Sequence, residues 1–143
     1  RDPMNPVSGG QDVLGFIGEF PESGLVPTVY LYGFLGVSVG SGGLVVSPDI
    51  PEQYGYMGAK DLVFGGNNYN LTVYRNGNVK LEGVSALDLT LTLADYAEKD
   101  SVAVTLYDAN DNIVSISRVT AENGKFTIDL NGASDSEGYV IIQ

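Results

Sequence analysis

The sequence contains no cysteine, no histidine and no tryptophan. Without cysteine the chain cannot form a disulfide, a thiolate metal site or a cysteine nucleophile. Without histidine it lacks the commonest general base and the commonest transition-metal ligand, so a Ser-His-Asp triad is excluded. Tryptophan is also missing as a platform for sugar rings, although nine tyrosines could partly replace it. These absences, with no catalytic motif elsewhere, favour a protein that is not an enzyme.

Positive charge is scarce as well. Lysine and arginine number 7 against 18 aspartates and glutamates, which gives a net charge of -11. Nucleic acid requires clustered basic side chains against its phosphates, so we expect no nucleic-acid partner. An acidic surface favours solubility and is compatible with cation binding, but it selects no partner by itself. With 143 residues, of which 43% are hydrophobic, the chain is predicted to form a single domain over residues 1–143.

The residues from Ala86 to Gln143 carry the clearest pattern, an alternation of apolar and polar side chains. This period of two is typical of strands with one buried face. It recurs in four segments, whose apolar members are Leu87, Leu89, Leu91 and Leu93; Val102, Val104 and Leu106; Val114 and Ile116; and Phe126, Ile128 and Leu130. Turn-forming residues separate the later segments. We therefore predict four strands, with a core shared by Leu89, Leu91, Val104, Leu106, Ile128 and Leu130.

The beginning of the chain has weaker patterns. Arg1 to Gln11 is rich in proline and glycine and is predicted to be a flexible arm. Because the chain begins with arginine rather than methionine, we expect a processed protein or a fragment. Asp12 to Phe20 is a candidate strand that places Leu14, Phe16 and Phe20 on one face, although two glycines weaken it.

Leu25 to Pro48 is apolar and long enough for a transmembrane helix to be considered. Repeated glycines interrupt it, Pro27 lies near its start and no basic residues flank it, which disfavours a membrane span. Its valines, tyrosines and leucines suit pleated strands. We predict two buried strands, Val26 to Val39 and Leu44 to Val46, and no transmembrane segment.

The middle of the chain is predicted to be a long loop, Ser47 to Lys60, followed by a short strand, Leu62 to Phe64. Asn70 to Arg75 and Asn78 to Glu82 then form a hairpin around Asn76-Gly77, a strong hairpin signal. Ala94 to Asp100 has room for one helical turn. About ten short antiparallel strands with turns between them predict an all-β fold, a single β-sandwich of the immunoglobulin-like or jelly-roll kind.

A possible metal site lies in the turn from Asp108 to Asn112. Its oxygen-bearing side chains, Asp108, Asn110 and Asn112, match the first three alternating positions of a helical calcium loop. That motif requires glycine at its sixth position and an acidic residue at its twelfth, where this chain has Ile113 and Val119. We therefore favour a hairpin turn over a calcium site, and expect no cofactor and no calcium requirement for folding.

Two further groups of side chains are candidates for chemistry. Carboxylates at Asp88, Asp95, Glu98 and Asp100 are better explained as a solvated face and loop than as a catalytic pair. Tyrosines at Tyr54, Tyr56, Tyr69 and Tyr74 form a candidate exposed cluster for stacking on sugar rings, with burial or a subunit contact as the commoner alternative.

The end of the chain resembles a known kind of module. The segments that carry the resemblance are Val104 to Asn110, Asn123 to Leu130 and Gly138 to Ile142. They look like the closing hairpins of immunoglobulin-like modules in secreted bacterial proteins, and are similar to the C-terminal sorting modules of Bacteroidetes exoproteins. The resemblance covers under a third of the chain and implies export and a β-sandwich, but no reaction.

Two functions follow as expectations. The first is a non-catalytic structural or assembly subunit of an extracellular surface, such as a fimbrial or filament protein, whose partners are other protein subunits or copies of itself. The second is a ligand-binding module, most plausibly for carbohydrate, of a secreted enzyme or surface receptor. Either would be secreted or on the cell surface of a bacterium. The missing tryptophan and the apolar, glycine-rich first third favour assembly.

The end of the chain also suggests how assembly could occur. Asp135 to Tyr139 resembles the corner that introduces the penultimate strand of an immunoglobulin-like sandwich, where a tyrosine hydroxyl bonds to the upstream backbone. If so, one sheet would end in an unpaired edge that could accept the segment Arg1 to Phe20 of a neighbour. The favoured alternative is that the arm pairs within its own chain and that Tyr139 lies in an ordinary closing strand.

Overall fold

The computed structural model describes residues 25–96, 98–134 and 136–143. The chain divides into two compact units, Arg1–Tyr30 and Leu31–Gln143. The predicted arm, Arg1 to Gln11, and the candidate strand with Leu14, Phe16 and Phe20 lie outside the described residues. All ten described strands belong to the second unit.

The described chain begins with helix α1, Leu25–Thr28, and a π-helical segment, Val29–Phe34. The strands are β1 Val37–Gly40, β2 Gly43–Val46, β3 Tyr56–Phe64, β4 Asn67–Tyr74, β5 Val79–Gly83, β6 Thr90–Leu93, β7 Ser101–Asp108, β8 Ile113–Thr120, β9 Phe126–Asp129 and β10 Gly138–Ile142.

The strands form two sheets in a sandwich-like, all-β fold. The four-stranded sheet has the order β1-β2-β6-β9, and the six-stranded sheet has the order β3-β4-β5-β10-β7-β8. All pairings between these strands are antiparallel except that of β2 with β6, which is parallel. The last strand of the chain, β10, lies in the centre of the larger sheet between β5 and β7.

The core consists of apolar side chains from the inner faces of both sheets. In the larger sheet one cross-strand row is formed by Leu71, Leu81, Val140 and Leu106, all buried. In the smaller sheet Leu91 pairs with Ile128 and Leu93 with Phe126, and these are buried too. The predicted shared core is confirmed, since every one of its six members is buried.

The predicted strand from Val26 to Val39 is wrong over most of its length. The chain is helical from Leu25 to Phe34, and β1 starts only at Val37. Pro27 has no N–H to donate to a sheet but is tolerated in the first turn of a helix. Gly36 adopts a φ of 59°, a left-handed conformation that reverses the chain just before β1. The apolar composition that suggested a strand is a weak guide, because strand propensity depends on packing context.

The middle of the chain is more regular than predicted. The loop ends at Gly55, since β3 begins at Tyr56, and the short strand predicted at Leu62 to Phe64 is the end of this nine-residue strand. The hairpin around Asn76-Gly77 is confirmed. Gly77 has a φ of 85°, its N–H donates to Tyr74 O at 2.9 Å, and Tyr74 N–H donates to Asn78 O at 2.9 Å. The loop therefore has three residues, with glycine at its left-handed last position.

Strand β8 also departs from the prediction. Val114 and Ile116 were expected to be buried, but they are exposed. Ser115 pairs with Leu106 and Ile113 pairs with Tyr107, which leaves Val114 as the extra residue of a β-bulge. The core-facing positions of β8 after the bulge are Ser115, Ser117 and Val119. Alternation shows which residues share a face, but not whether another sheet covers that face.

Tyr139 lies within closing strand β10, as the favoured alternative predicted. The residues after it complete this strand, which pairs on both sides with β5 and β7. Its hydroxyl donates to the side chain of Asp111 at 2.7 Å, so the hydrogen bond expected of a corner tyrosine is not the one observed. The edges of the larger sheet are therefore β3 and β8.

Candidate functional site

A cavity of about 350 Å³ opens at one end of the sandwich, where three connections converge. They are the β2–β3 loop, the β4–β5 hairpin and the β6–β7 connection. We call it the loop-end cavity; its lining comprises Pro48, Ile50, Tyr74, Arg75, Asn76, Gly77, Asp95, Tyr96, Glu98 and Lys99. Ligand pockets of proteins commonly have volumes of about 300–1,000 Å³, so the cavity could hold a small ligand.

Tyr96 joins this cavity to the core. Its ring packs edge-on against Phe126, with centroids 6.4 Å apart and planes at 77°. The side chain is only 8% exposed, and its hydroxyl is buried with no hydrogen-bond partner among the described residues. Burial raises the pKa of Tyr96 to about 12. An unsatisfied buried hydroxyl costs about 1–3 kcal/mol, so its presence calls for an explanation.

The hairpin turn lies against this ring. A Cβ added at Gly77 would lie 3.5 Å from Tyr96 Cε1 and 3.6 Å from Lys99 Nζ. The side chains of Tyr96 and Lys99 therefore both lie against the hairpin turn. Lys99 N–H donates to Tyr96 O at 3.0 Å, and none of the described residues from 94 to 100 is helical, although the sequence left room there for one helical turn.

Charges of both signs line the cavity in equal number. Arg75 and Lys99 are basic, while Asp95 and Glu98 are acidic. Arg75 donates to Glu52 O at 3.0 Å and lies 3.6 Å from its carboxylate. Two of the chain's 7 basic residues are thus placed here, and the lining is neutral in a chain of net charge -11.

The predicted tyrosine cluster is only partly assembled. Tyr56 and Tyr74 are exposed neighbours on β3 and β4, with ring centroids 6.0 Å apart. Tyr54, two residues before Tyr56 in the chain, is exposed as well, and Arg75 N–H donates to O of the intervening Gly55 at 3.0 Å. We call Tyr54, Tyr56 and Tyr74 the tyrosine ledge; Tyr74 also lines the cavity. Tyr69 does not belong to it, because it is fully buried and its hydroxyl donates to Asp88 O at 3.2 Å.

Tyr96, Arg75 and Lys99 were not predicted from the sequence to be members of this site. They lie in different connections, and no local motif joins them. The acidic residues were correctly expected to be solvated: Asp88, Asp95, Glu98 and Asp100 are all exposed. Asp95 also accepts a hydrogen bond from Ser47 Oγ, which ties two of the converging connections together.

The segment from Asp108 to Asn112 forms the predicted hairpin turn. Asp108 N–H donates to Asn112 O at 3.0 Å, and the Asp108 carboxylate accepts from the N–H groups of Asn110 and Asn112 at 2.8 and 2.9 Å. Asn112 Nδ2 donates to the same carboxylate at 2.9 Å. The Asp108 carboxylate considered for calcium is therefore engaged with the turn itself. The left-handed residue of the turn is Asp111, with a φ of 63°.

These hydrogen bonds predict how Asp108 affects stability with pH. The side chain and backbone N–H of Asn112, followed by the N–H of Asn110, lower the pKa of Asp108 below 3.8. The carboxylate therefore stabilises the fold above its unfolded-state pKa, and this contribution disappears as pH falls through the lower folded-state pKa.

We expect Asp108→Ala to lower the urea midpoint at neutral pH, with the difference from wild type shrinking in strong acid. Asn110→Ala is the control, because the bond from residue 110 to Asp108 uses the backbone. A difference that is constant down to the lowest pH would contradict this account.

A second aromatic pair lies on the outer face of the larger sheet. Tyr107 and Tyr139 stack with centroids 4.7 Å apart and planes at 11°, and Lys80 Nζ lies 4.4 Å from the Tyr139 centroid. Because β10 lies between β7 and β5, Tyr107 and Lys80 cover opposite sides of the Tyr139 ring. The hydrogen bond to Asp111 raises the pKa of Tyr139 to about 12. The ring is occupied by the sheet's own side chains, which favours a structural role.

Strand β8 is the other surface of interest. Ile113, Val114 and Ile116 are 56%, 58% and 67% exposed. Within the part of the chain that the structure describes, β8 pairs only with β7, so its other edge presents unpaired backbone groups. Edge strands are usually short, or contain charged residues or proline that prevent unwanted pairing. Strand β8 instead has eight residues, no proline and one charged residue, Arg118.

Comparison with known families and with curated proteins found no match for this chain. Within residues 25–96, 98–134 and 136–143, no helix has the length and hydropathy to cross a membrane. The same residues contain no group of three or more acidic side chains placed to hold a metal ion. The candidate assembly residues Leu14, Phe16 and Phe20 lie outside the described residues.

Proposed function

We propose that the protein is a non-catalytic structural subunit that assembles with other copies of itself through strand β8. The observation that carries this proposal is an eight-residue edge strand with three exposed apolar side chains and little charge. An exposed apolar edge is a template for pairing with another strand, and large exposed apolar side chains mark interaction surfaces. Export to a bacterial surface is part of the proposal, supported by the resemblance of the closing hairpins.

Charge favours a second copy as the partner. The chain carries a net charge of -11, so two copies repel each other over most of their surfaces. Strand β8 contains a single charge, that of Arg118, and Asp111 lies just before its start. Antiparallel pairing of two β8 strands about a two-fold axis brings the Arg118 end of one copy towards the Asp111 end of the other. The contact would join two six-stranded sheets edge to edge.

We expect the wild-type chain to form concentration-dependent oligomers in sedimentation velocity, and Ile116→Lys to remain monomeric with an unchanged circular dichroism spectrum. Lysine on an edge strand places charge where the second strand would dock. The matched control is Val39→Lys on edge strand β1, because Val39 is 72% exposed and lies in the other sheet. This control should assemble like wild type.

A wild-type chain that is monomeric at every concentration would contradict the proposal. Equal loss of assembly in both variants would do so as well. Deleting residues 1–20 separates β8 self-pairing from donation of the predicted arm. If the deletion abolishes assembly while Ile116→Lys retains it, the arm is the donor and β8 is not the contact.

A further inference from the structure

The loop-end cavity combines three features that its role in the fold does not explain. It contains equal numbers of acidic and basic side chains, it borders the exposed tyrosine ledge, and one of its lining residues is the buried Tyr96 with an unpartnered hydroxyl. None of these features belongs to β8, which lies at the far edge of the larger sheet from Tyr56 and Tyr74.

We propose that the loop-end cavity binds the end of a neutral carbohydrate chain, with the tyrosine ledge as a platform for the adjoining sugar units. A sugar presents hydroxyl groups that both donate and accept hydrogen bonds. Arg75 and Lys99 can only donate, whereas the carboxylates of Asp95 and Glu98 accept. Such a mixed lining supplies both hydrogen-bond donors and hydrogen-bond acceptors to neighbouring hydroxyl groups of a sugar.

The charge balance selects a neutral ligand. An acidic sugar or a phosphate would be attracted by Arg75 and Lys99, but it would meet Asp95 and Glu98 in the same cavity. The net charge of -11 adds a long-range penalty for any anion. A neutral carbohydrate avoids both costs. The volume of about 350 Å³ accommodates a mono- or disaccharide rather than a long chain.

The tyrosine ledge supplies the apolar contact. Tyr56 and Tyr74 are exposed, and their planes are tilted by 43°. The apolar face of a sugar ring can pack against a tyrosine ring whose hydroxyl remains in water. Tyr74 belongs to both the ledge and the cavity, so it is the residue on which binding should depend most.

Tyr96 is the second residue whose side chain we expect to contact the sugar. Tyr96 and Lys99 both line the cavity and lie against the hairpin turn at Gly77. A sugar hydroxyl that entered the cavity beside Tyr96 would give the Tyr96 hydroxyl the partner that it lacks among the described residues. Tyr96→Phe should then not destabilise the sugar-free protein, because it removes no hydrogen bond. It should weaken the binding of the sugar.

The test is isothermal titration calorimetry of the full chain with neutral tetrasaccharides of glucose, mannose, galactose and N-acetylglucosamine, and with a tetrasaccharide of galacturonic acid. We expect at least one neutral probe to bind with a Kd below about 1 mM, and the acidic probe to bind at least about tenfold more weakly. Tyr74→Ala should weaken the bound neutral probe by about tenfold or more. Tyr96→Phe should weaken it measurably, with a thermal stability no lower than that of wild type.

Tyr32→Ala is the control, because Tyr32 is exposed and is not part of the cavity lining. It should bind the neutral probe as wild type does. The proposal is overturned if no neutral probe binds, if the acidic probe binds best, or if Tyr32→Ala loses as much affinity as Tyr74→Ala. Affinity that is unchanged in both Tyr74→Ala and Tyr96→Phe would place the sugar elsewhere and overturn it too. Each outcome is independent of β8 and of oligomer formation.

Discussion

Phe126→Ala should lower the free energy of unfolding by about 3–5 kcal/mol, the usual cost of removing a large buried aromatic side chain. Phe126 is fully buried on β9, pairs with Leu93 and contacts the edge of the Tyr96 ring. The substitution leaves a cavity that the surrounding strands cannot fill completely. Urea unfolding followed by circular dichroism measures the loss.

Val39→Ala is the control for this prediction, because Val39 is exposed on β1 and should change stability by no more than about 0.5 kcal/mol. A loss below about 1 kcal/mol for Phe126→Ala would show that the two sheets do not pack through β9 as described.

Gly83→Ala should be severely destabilising although it adds a single methyl group. A Cβ at residue 83 would overlap the carbonyl oxygen of Ala86 and lie 3.0 Å from Leu87 N. These are backbone atoms, so the chain between β5 and β6 must move to relieve the contact. Overpacking of a tight site destabilises a protein by about 1–3 kcal/mol and sometimes more. We expect Gly83→Ala to lower the free energy of unfolding by an amount at or above the top of that range.

Gly42→Ala provides a matched glycine substitution, since a Cβ at Gly42 would have no atom within 4 Å. Its thermal midpoint should remain close to that of wild type. If the two variants unfold at the same temperature, the close approach of the backbone at Gly83 is not present in the protein.

The strand pattern and the core could be predicted from the sequence because alternation records burial directly. Leu91, Leu106 and Ile128 lie on regular strands covered by the opposite sheet, and the pattern identified them. The Asn76-Gly77 and Asp108 turns could also be predicted, since their residues favour the left-handed or hydrogen-bonded conformations that turns require. These features depend on residues close together in the chain.

Features that depend on the position of a segment in the sheets could not be predicted from the local sequence pattern. Ile116 alternates like a core residue, but β8 is an edge strand and Ile116 lies on the outer face. Tyr69 and Tyr74 are close in sequence on one strand, yet one is buried and the other exposed, because they point to opposite faces. The loop-end cavity unites three connections whose sequences carry no shared motif.

The helical start of the described chain was missed for a related reason. From Leu25 to Phe34 nearly every residue is apolar or aromatic, so neither a period of two nor a helical period stands out. Pro27 argues against a membrane span, but it is compatible with the first turn of a short helix.

The most direct test of assembly through β8 is hydrogen–deuterium exchange of the β8 backbone at low and high protein concentration. Amides of β8 that do not pair with β7 should exchange rapidly in the dilute chain. They should become protected in the concentrated chain, where a second strand accepts their hydrogen bonds. Ile116→Lys should keep them rapid at both concentrations. Oligomers that form while these amides still exchange rapidly would contradict the account.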